Sequence, residues 1–166
     1  LAVESGDETV LRDLIRKPLT LDMVRGAVKR VKAHGISTNG YFICGFPGET
    51  RKNIRNTFRL IRELQLDRHY LFMYSPLPGT PLAQQAIEQG RLPPDYDYER
   101  PETYFTPSRQ LSEVPPRQLQ KMWRREFLVS NLRLAVTNPW KFMRKYGPAL
   151  RSHPEFIIKF FQLLFK

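Results

Sequence analysis

The strongest constraint on this chain is a repeated order of short apolar run, small-residue loop and helical pattern. Leu1 to Val3 is such a run, and so are Tyr41 to Cys44 and Tyr70 to Tyr74. Three to five continuous apolar residues beside turn signals suit a strand buried on both faces, as in a parallel sheet. Between the runs the period changes to that of a helix. Thr9 to Lys17 predicts a short helix, with Val10, Leu11, Leu14 and Ile15 as its stripe and Pro18 as its stop. Thr20 caps a longer one carrying Leu21, Val24, Val28 and Val31, closed by Gly35. Thr50 opens another, with Ile54, Phe58, Ile61 and Leu64 on one face, and Pro81 starts a last short helix ending at Gly90.

Strand and helix in alternation predict an α/β fold with parallel strands and crossover helices. Three strands are few for an open sheet and too few for a closed barrel. The expectation is therefore the C-terminal half of a partial parallel (β/α) TIM-like barrel, followed by an α-helical C-terminal extension. The chain opens on Leu1, inside an apolar run, which reads as part of a longer protein. The expected domains are a half-barrel over 1–92, a Pro-rich excursion or linker over 93–116, and a basic helical extension over 117–166. The excursion is marked by Pro93, Pro94, Pro101, Pro107, Pro115 and Pro116. In the extension a helix runs from Arg117 to about Val136, Asn138-Pro139 breaks it, and short helices follow around Trp140 to Tyr146 and Pro154 to Phe165.

Charge is placed unevenly. The net charge is +11, yet residues 1–106 hold 15 Lys/Arg and 13 Asp/Glu, while residues 107–166 hold 12 and 3. Such a tail suits an acidic partner, a nucleic acid or an anionic membrane, or is simply a solvated helical face. The single cysteine, Cys44, fits a reducing, cytoplasmic setting and reads as a buried core thiol. It cannot by itself hold an iron–sulfur cluster. His34, His69 and His153 show no ligand spacing, so no metal site is expected. Gly40 and Gly45 are spaced like the outer glycines of a phosphate-binding loop, but Phe46 and Pro47 stand where Lys and Ser/Thr are needed. No G-x-S-x-G elbow is present. Hydrolase and simple kinase readings lose their support.

Chemistry is left to the strand C-terminal ends, where parallel α/β sheets bind ligands. Glu4-Ser5-Gly6, Gly45-Phe46-Pro47-Gly48-Glu49-Thr50 and Ser75-Pro76-Leu77-Pro78-Gly79-Thr80 each follow an apolar run. Glycine lets a backbone approach a ligand, and proline fixes a loop without adding a donor. Taken singly, Glu4 could be a surface ion pair, Gly45 and Gly48 a tight turn, and Glu49 an acid favoured at a helix start. Taken together and in order, they read as a binding site.

These three segments carry a resemblance. Val3 to Leu11 resembles the fourth-strand region of radical S-adenosylmethionine (radical SAM) barrels. Gly40 to Thr50 is similar to their fifth-strand motif, and Ser75 to Leu82 to the loop after their sixth strand. Two positions depart from the strict fifth-strand form: Tyr41 stands where it has Gly, and Glu49 comes one residue late. Within the superfamily the chain most resembles proteins with an N-terminal cobalamin-binding domain, such as magnesium-protoporphyrin ester cyclase-like proteins and B12-dependent methylases.

The resemblance implies an enzyme that reductively cleaves S-adenosylmethionine and acts on a tetrapyrrole, lipid or natural-product substrate. It implies a [4Fe-4S] cluster and cobalamin, both held outside this chain. It implies that Glu4 and Ser5 contact the ribose or methionine part, that Ile43 and Gly45 pack against adenine, and that Pro76 and Gly79 close the pocket. Alone, the chain would be inactive. The competing expectation is a non-catalytic half-barrel module that binds a partner or membrane through its tail. For the tail, the helix Pro154 to Lys166 either packs on the rest of the protein or lies on an anionic membrane, helped by Lys141, Arg144, Lys145 and Arg151. Nucleic acid is the lesser expectation, resting on Trp123-Arg124-Arg125.

Overall fold

The structure, a computed structural model, describes residues 1–98 and 109–152. Three strands form one parallel sheet: β1 (Ala2–Glu4), β2 (Asn39–Cys44) and β3 (Arg68–Met73), in that spatial order. The helices are α1 (Leu21–Ala33), α2 (Arg51–Leu64), α3 (Pro81–Glu88), α4 (Pro116–Thr137) and α5 (Pro139–Ser152). This is the expected α/β class, consistent with part of a (β/α) barrel followed by helices. The chain divides into two compact units, Leu1–Gln120 and Lys121–Lys166.

Strand pleating explains which residues form the core. In β2, Gly40, Phe42 and Cys44 are buried while Tyr41 is exposed and Ile43 half-buried. Leu71 and Met73 of β3 pair with Phe42 and Cys44, continuing the same buried face. Ile54, Phe58, Ile61 and Leu64 of α2 and Val24 and Val28 of α1 join the core. On the other face the rings of Tyr41, Tyr70 and Phe72 stack across β2 and β3, with centroids 5.2 and 6.4 Å apart.

The helix starts follow the sequence signals. Thr20, Thr50 and Thr80 each accept a backbone N–H at the third helical position. Thr50 and Asn53 complete a reciprocal capping box. Two expectations change. The helix predicted over Thr9 to Lys17 is a single π-helical turn, Val10–Leu14, started by Asp7, whose Oδ1 accepts from the N–H groups of Thr9 and Val10. The helix predicted to end at Tyr146 runs on to Ser152 with Pro148 inside it. A proline removes one N–H and strains a helix, but does not always end it. The expected helix Pro154 to Phe165 lies outside the described residues, as do Pro101 and Pro107 of the excursion.

The loop after β1 is held by α2. The Gly6 N–H donates to Thr57 Oγ1 at 2.9 Å, and the hydroxyls of Ser5 and Thr57 are 3.1 Å apart. A Cβ on Gly6 would meet Thr57 Cα at 2.6 Å and Asn56 O at 2.7 Å, both backbone atoms that cannot swing aside. Gly6→Ala is expected to destabilise the protein by about 3 kcal/mol, and Thr20→Ala by about 1 kcal/mol. Urea unfolding monitored by circular dichroism checks this order. A Gly6→Ala protein as stable as the parent would show that the loop is not seated on α2.

Candidate functional site

All three strands point the same way, so their C-terminal ends share one edge of the sheet. Glu4 ends β1 with a left-handed backbone, φ 67°, and the register shifts between Ala2 and Glu4. A non-glycine residue held there stores strain. Its carboxylate lies 3.3 Å from Lys17 Nζ, and both side chains are partly accessible. Ser5 is fully buried and turned toward α2; its Oγ also accepts from the Asp7 N–H. Ile43 is half-buried, on the face that carries Tyr41 and Phe72. Gly45 follows β2 with φ 92°, and a Cβ there would come within 3.1 Å of Leu119 Cδ2.

Pro76 is buried just after β3, whereas Gly79 (φ 73°) is exposed in the turn that leads to Thr80 and α3. The fold therefore brings Glu4, Ile43 and Gly45 to one edge. It turns the Ser5 side chain away from that edge, and leaves Gly79 several residues beyond it along the chain.

Glu49 is the residue whose role the sequence did not reveal. Taken singly it reads as an acid favoured at a helix start, and taken with the other strand-end residues as part of a binding site. Instead its side chain is fully buried and folds back over its own loop. Oε2 accepts from the N–H of Gly45 at 2.6 Å and of Phe46 at 3.2 Å, while Oε1 has no hydrogen-bond partner. Burial pushes its pKa up to about 8, with a smaller push from the Asp7 charge, although the two amides pull the other way. The carboxyl is thus mostly neutral at pH 7. Its backbone is used as well: the Glu113 N–H donates to Glu49 O at 2.9 Å. The only signal in the sequence was an acid four residues after a strand-end glycine.

Asp7 behaves differently. Burial raises its pKa, but hydrogen bonds from the Asn56 and Asn53 side chains and the Val10 and Thr9 backbone outweigh that and hold it low. The last part of the Pro-rich excursion returns to the same edge. Leu111 packs with Ala86 and Leu92, and Tyr74 lies against them. Tyr74 in turn meets Phe46, with ring centroids 5.1 Å apart. Arg91 ties this return down through Leu111 O at 2.8 Å and an ion pair with Glu113.

The residues present do not fit an iron–sulfur cluster. Cys44 is fully buried with its Sγ 3.8 Å from Met73 Sδ, and burial, then the Glu49 charge, raises its pKa well above the usual thiol range. Among the described residues no group of three His, Cys, Asp or Glu could hold a metal ion.

Parallel strands with their loops along one C-terminal edge are consistent with part of a (β/α) barrel, a fold whose loops at that edge bind ligands. No family model matches the chain. Curated relatives do, and they are tRNA-2-methylthio-N(6)-dimethylallyladenosine synthases. The protein from Pseudomonas savastanoi pv. phaseolicola is 41% identical over 100 residues, covering 55% of this chain and 22% of the relative. That from Ehrlichia ruminantium (strain Gardel) is 41% identical over 86 residues, 51% of this chain and 19% of the relative. That from Aeromonas hydrophila is 33% identical over 143 residues, 85% of this chain and 28% of the relative.

The chain thus covers 19% to 28% of the length of these relatives. They are radical SAM enzymes, and the similarity supports kinship with that superfamily. It does not support the cobalamin-bearing subfamily or a methylase, and cobalamin is left without an argument.

Glu49 yields a pH prediction. An unfolded glutamate titrates near 4.5 and the folded one near 8. Between those values the folded state holds a proton that the unfolded chain has released, so stability falls as pH rises through this window, by a few kcal/mol. Glu49→Gln keeps an acceptor for the two amides and carries no charge, so it should flatten that decline and be the more stable protein above about pH 7. Denaturant midpoints between pH 5 and pH 8.5 check this. A variant with the parental slope would exclude Glu49 as the titrating group.

Proposed function

We propose that this chain is the C-terminal part of the S-adenosylmethionine-binding barrel of a longer radical SAM enzyme, one that modifies an adenosine of tRNA. The observation that carries the reading is the convergence of the three strand-end segments on one sheet edge, in a chain similar to tRNA-2-methylthio-N(6)-dimethylallyladenosine synthases. In this reading Ile43 is the wall for adenine, the Gly45 loop approaches its edge, and Glu4 receives ribose hydroxyls once Lys17 yields. Pro76 and Gly79 border the pocket, and Ser5 supports Glu4 from behind by holding the loop on α2. The [4Fe-4S] cluster that supplies the electron for cleavage is held by cysteines elsewhere in the protein.

The relatives also favour a nucleic-acid substrate over the tetrapyrrole, lipid or natural product expected from sequence. The basic stretch after residue 106 supports that choice, because phosphate contacts need Lys and Arg. A non-catalytic half-barrel is the weaker reading, since the relatives are enzymes.

The test uses the full-length protein, reconstituted anaerobically with iron and sulfide. With a strong reductant it should convert S-adenosylmethionine to 5′-deoxyadenosine. Ile43→Asp should raise the KM for S-adenosylmethionine about tenfold or more, because a charge replaces the apolar wall. Given tRNA bearing N(6)-dimethylallyladenosine, the enzyme should add a methylthio group detectable by mass spectrometry of the nucleosides. No cleavage by cluster-loaded protein would overturn the enzyme reading. Cleavage with no change to any tRNA would overturn the substrate alone.

A further inference from the structure

The second unit shows a surface that the reading above does not use. In α4 and α5 one side is occupied by the pair's own contacts. Asn131 Nδ2 donates to Phe127 O at 2.6 Å, the Ser130 hydroxyl to Glu126 Oε1 at 2.8 Å, and the Tyr146 hydroxyl to Asn131 Oδ1. Phe142 and Tyr146 pack ring to ring at 5.0 Å. The opposite side carries apolar groups into solvent. Leu132 is 48% exposed, Val136 82%, Trp140 82% and Met143 52%. Leu132 and Val136 lie four residues apart on α4, and Trp140 and Met143 three apart on α5, so each pair shares a helix face. They flank the bend at Asn138, whose side chain caps α5 by accepting from the Lys141 N–H. Arg133, Lys141 and Arg144 stand among them in the sequence.

We infer that this elbow docks on an anionic lipid surface, with Val136 and Trp140 entering the headgroup layer and the surrounding cations meeting lipid phosphates. Isolated exposed apolar residues are ordinary, but two exposed apolar pairs on the helices either side of one bend call for an occupant. Charge complementarity selects which. Residues 121–166 hold ten Lys/Arg and only two acids, Glu126 and Glu155, so the occupant is anionic. It must also accept aliphatic side chains. RNA is anionic but gains from stacked rings, and of these four only Trp140 has one. A lipid interface accepts all four, and tryptophan favours that depth because its ring is apolar and its N–H polar. The chain beyond has the same composition: Pro154 to Lys166 contains eight Phe, Ile or Leu with Lys159 and Lys166. Among the described residues no helix is long and apolar enough to cross a membrane, so the contact is interfacial.

The inference stands apart from the cofactor reading and is tested separately. Full-length protein is sedimented with vesicles of phosphatidylcholine alone, or mixed with phosphatidylglycerol at roughly two to one. Binding should be at least about tenfold stronger to the anionic vesicles and should weaken markedly between about 0.1 M and 0.5 M salt. Val136→Asp with Trp140→Asp should lower it about tenfold or more, and Arg133→Glu about fivefold or more, with circular dichroism unchanged. S-adenosylmethionine cleavage without vesicles should be unaffected by any of them. Absence of vesicle binding, or equal binding by the double variant, would overturn the proposal. So would loss of affinity for unmodified tRNA in the Trp140→Asp protein without loss of vesicle binding, because the elbow would then be a nucleic-acid contact.

Discussion

The carboxyl group of Glu49 sits where the strand-end edge is decided. Two amides at the end of β2, those of Gly45 and Phe46, point at Oε2 and find their hydrogen bonds there. Without it both would be buried donors with no acceptor, each costing about 1–3 kcal/mol. The cost falls instead on the carboxyl, which is buried and keeps one oxygen unpaired. A buried carboxylate lowers that cost by taking up a proton, as its raised pKa reflects. The loop can then turn at Gly45 and Gly48, both with positive φ, and enter α2 through the Thr50 cap. Helix α2 in turn offers Thr57 to Ser5 and Gly6. One helix therefore frames two of the three strand ends: β2 through the Glu49 loop that precedes it, and β1 through its second turn.

Much of this frame was legible in the sequence. The runs Tyr41 to Cys44 and Tyr70 to Tyr74 mark β2 and β3 because an unbroken apolar run between turn signals suits a parallel strand, but the expected burial of both faces is not met: Tyr41 and Tyr70 are exposed on one of them. The threonines before α1, α2 and α3 mark helix starts because capping is a local event. Side-chain direction at the site was not legible, for a physical reason. Ser5 and Glu49 carry polar groups that either face a ligand or satisfy the backbone, and composition is the same in both cases. Only the approach of α2, more than fifty residues along, settles Ser5. Only the positive φ of Gly45 presents its N–H to Glu49. The π-helical turn escaped because Val10, Leu11 and Leu14 give the same stripe whether the turn closes at four residues or five.

The substrate was less legible than the cofactor. In the proposed reading, strand-end segments such as Gly45 to Thr50 would meet a ligand common to many enzymes, so they carry the superfamily's pattern and little about what each enzyme modifies. Substrate contacts fall on loops and extensions, which vary freely. Here the resemblance pointed toward cobalamin-bearing proteins, while the relatives that match over half the chain or more act, by their name, on tRNA. Both readings share the same edge of the same sheet, and so Ile43 and Gly45 could not tell them apart.

Charge divides the chain more sharply than motif does. Up to residue 106 acids and bases nearly balance, at 13 and 15. Beyond it the bases outnumber the acids four to one. A balanced field neither draws nor repels a polyanion, so long-range attraction of one has to come from the helical unit. Attraction alone does not name the polyanion, because phosphates of RNA and of lipid look alike at a distance. Contact distinguishes them: bases reward flat rings, and acyl chains reward any apolar side chain. At the α4–α5 bend three of the four exposed groups, Leu132, Val136 and Met143, have no ring to stack. That chemistry places the lipid reading ahead at this surface.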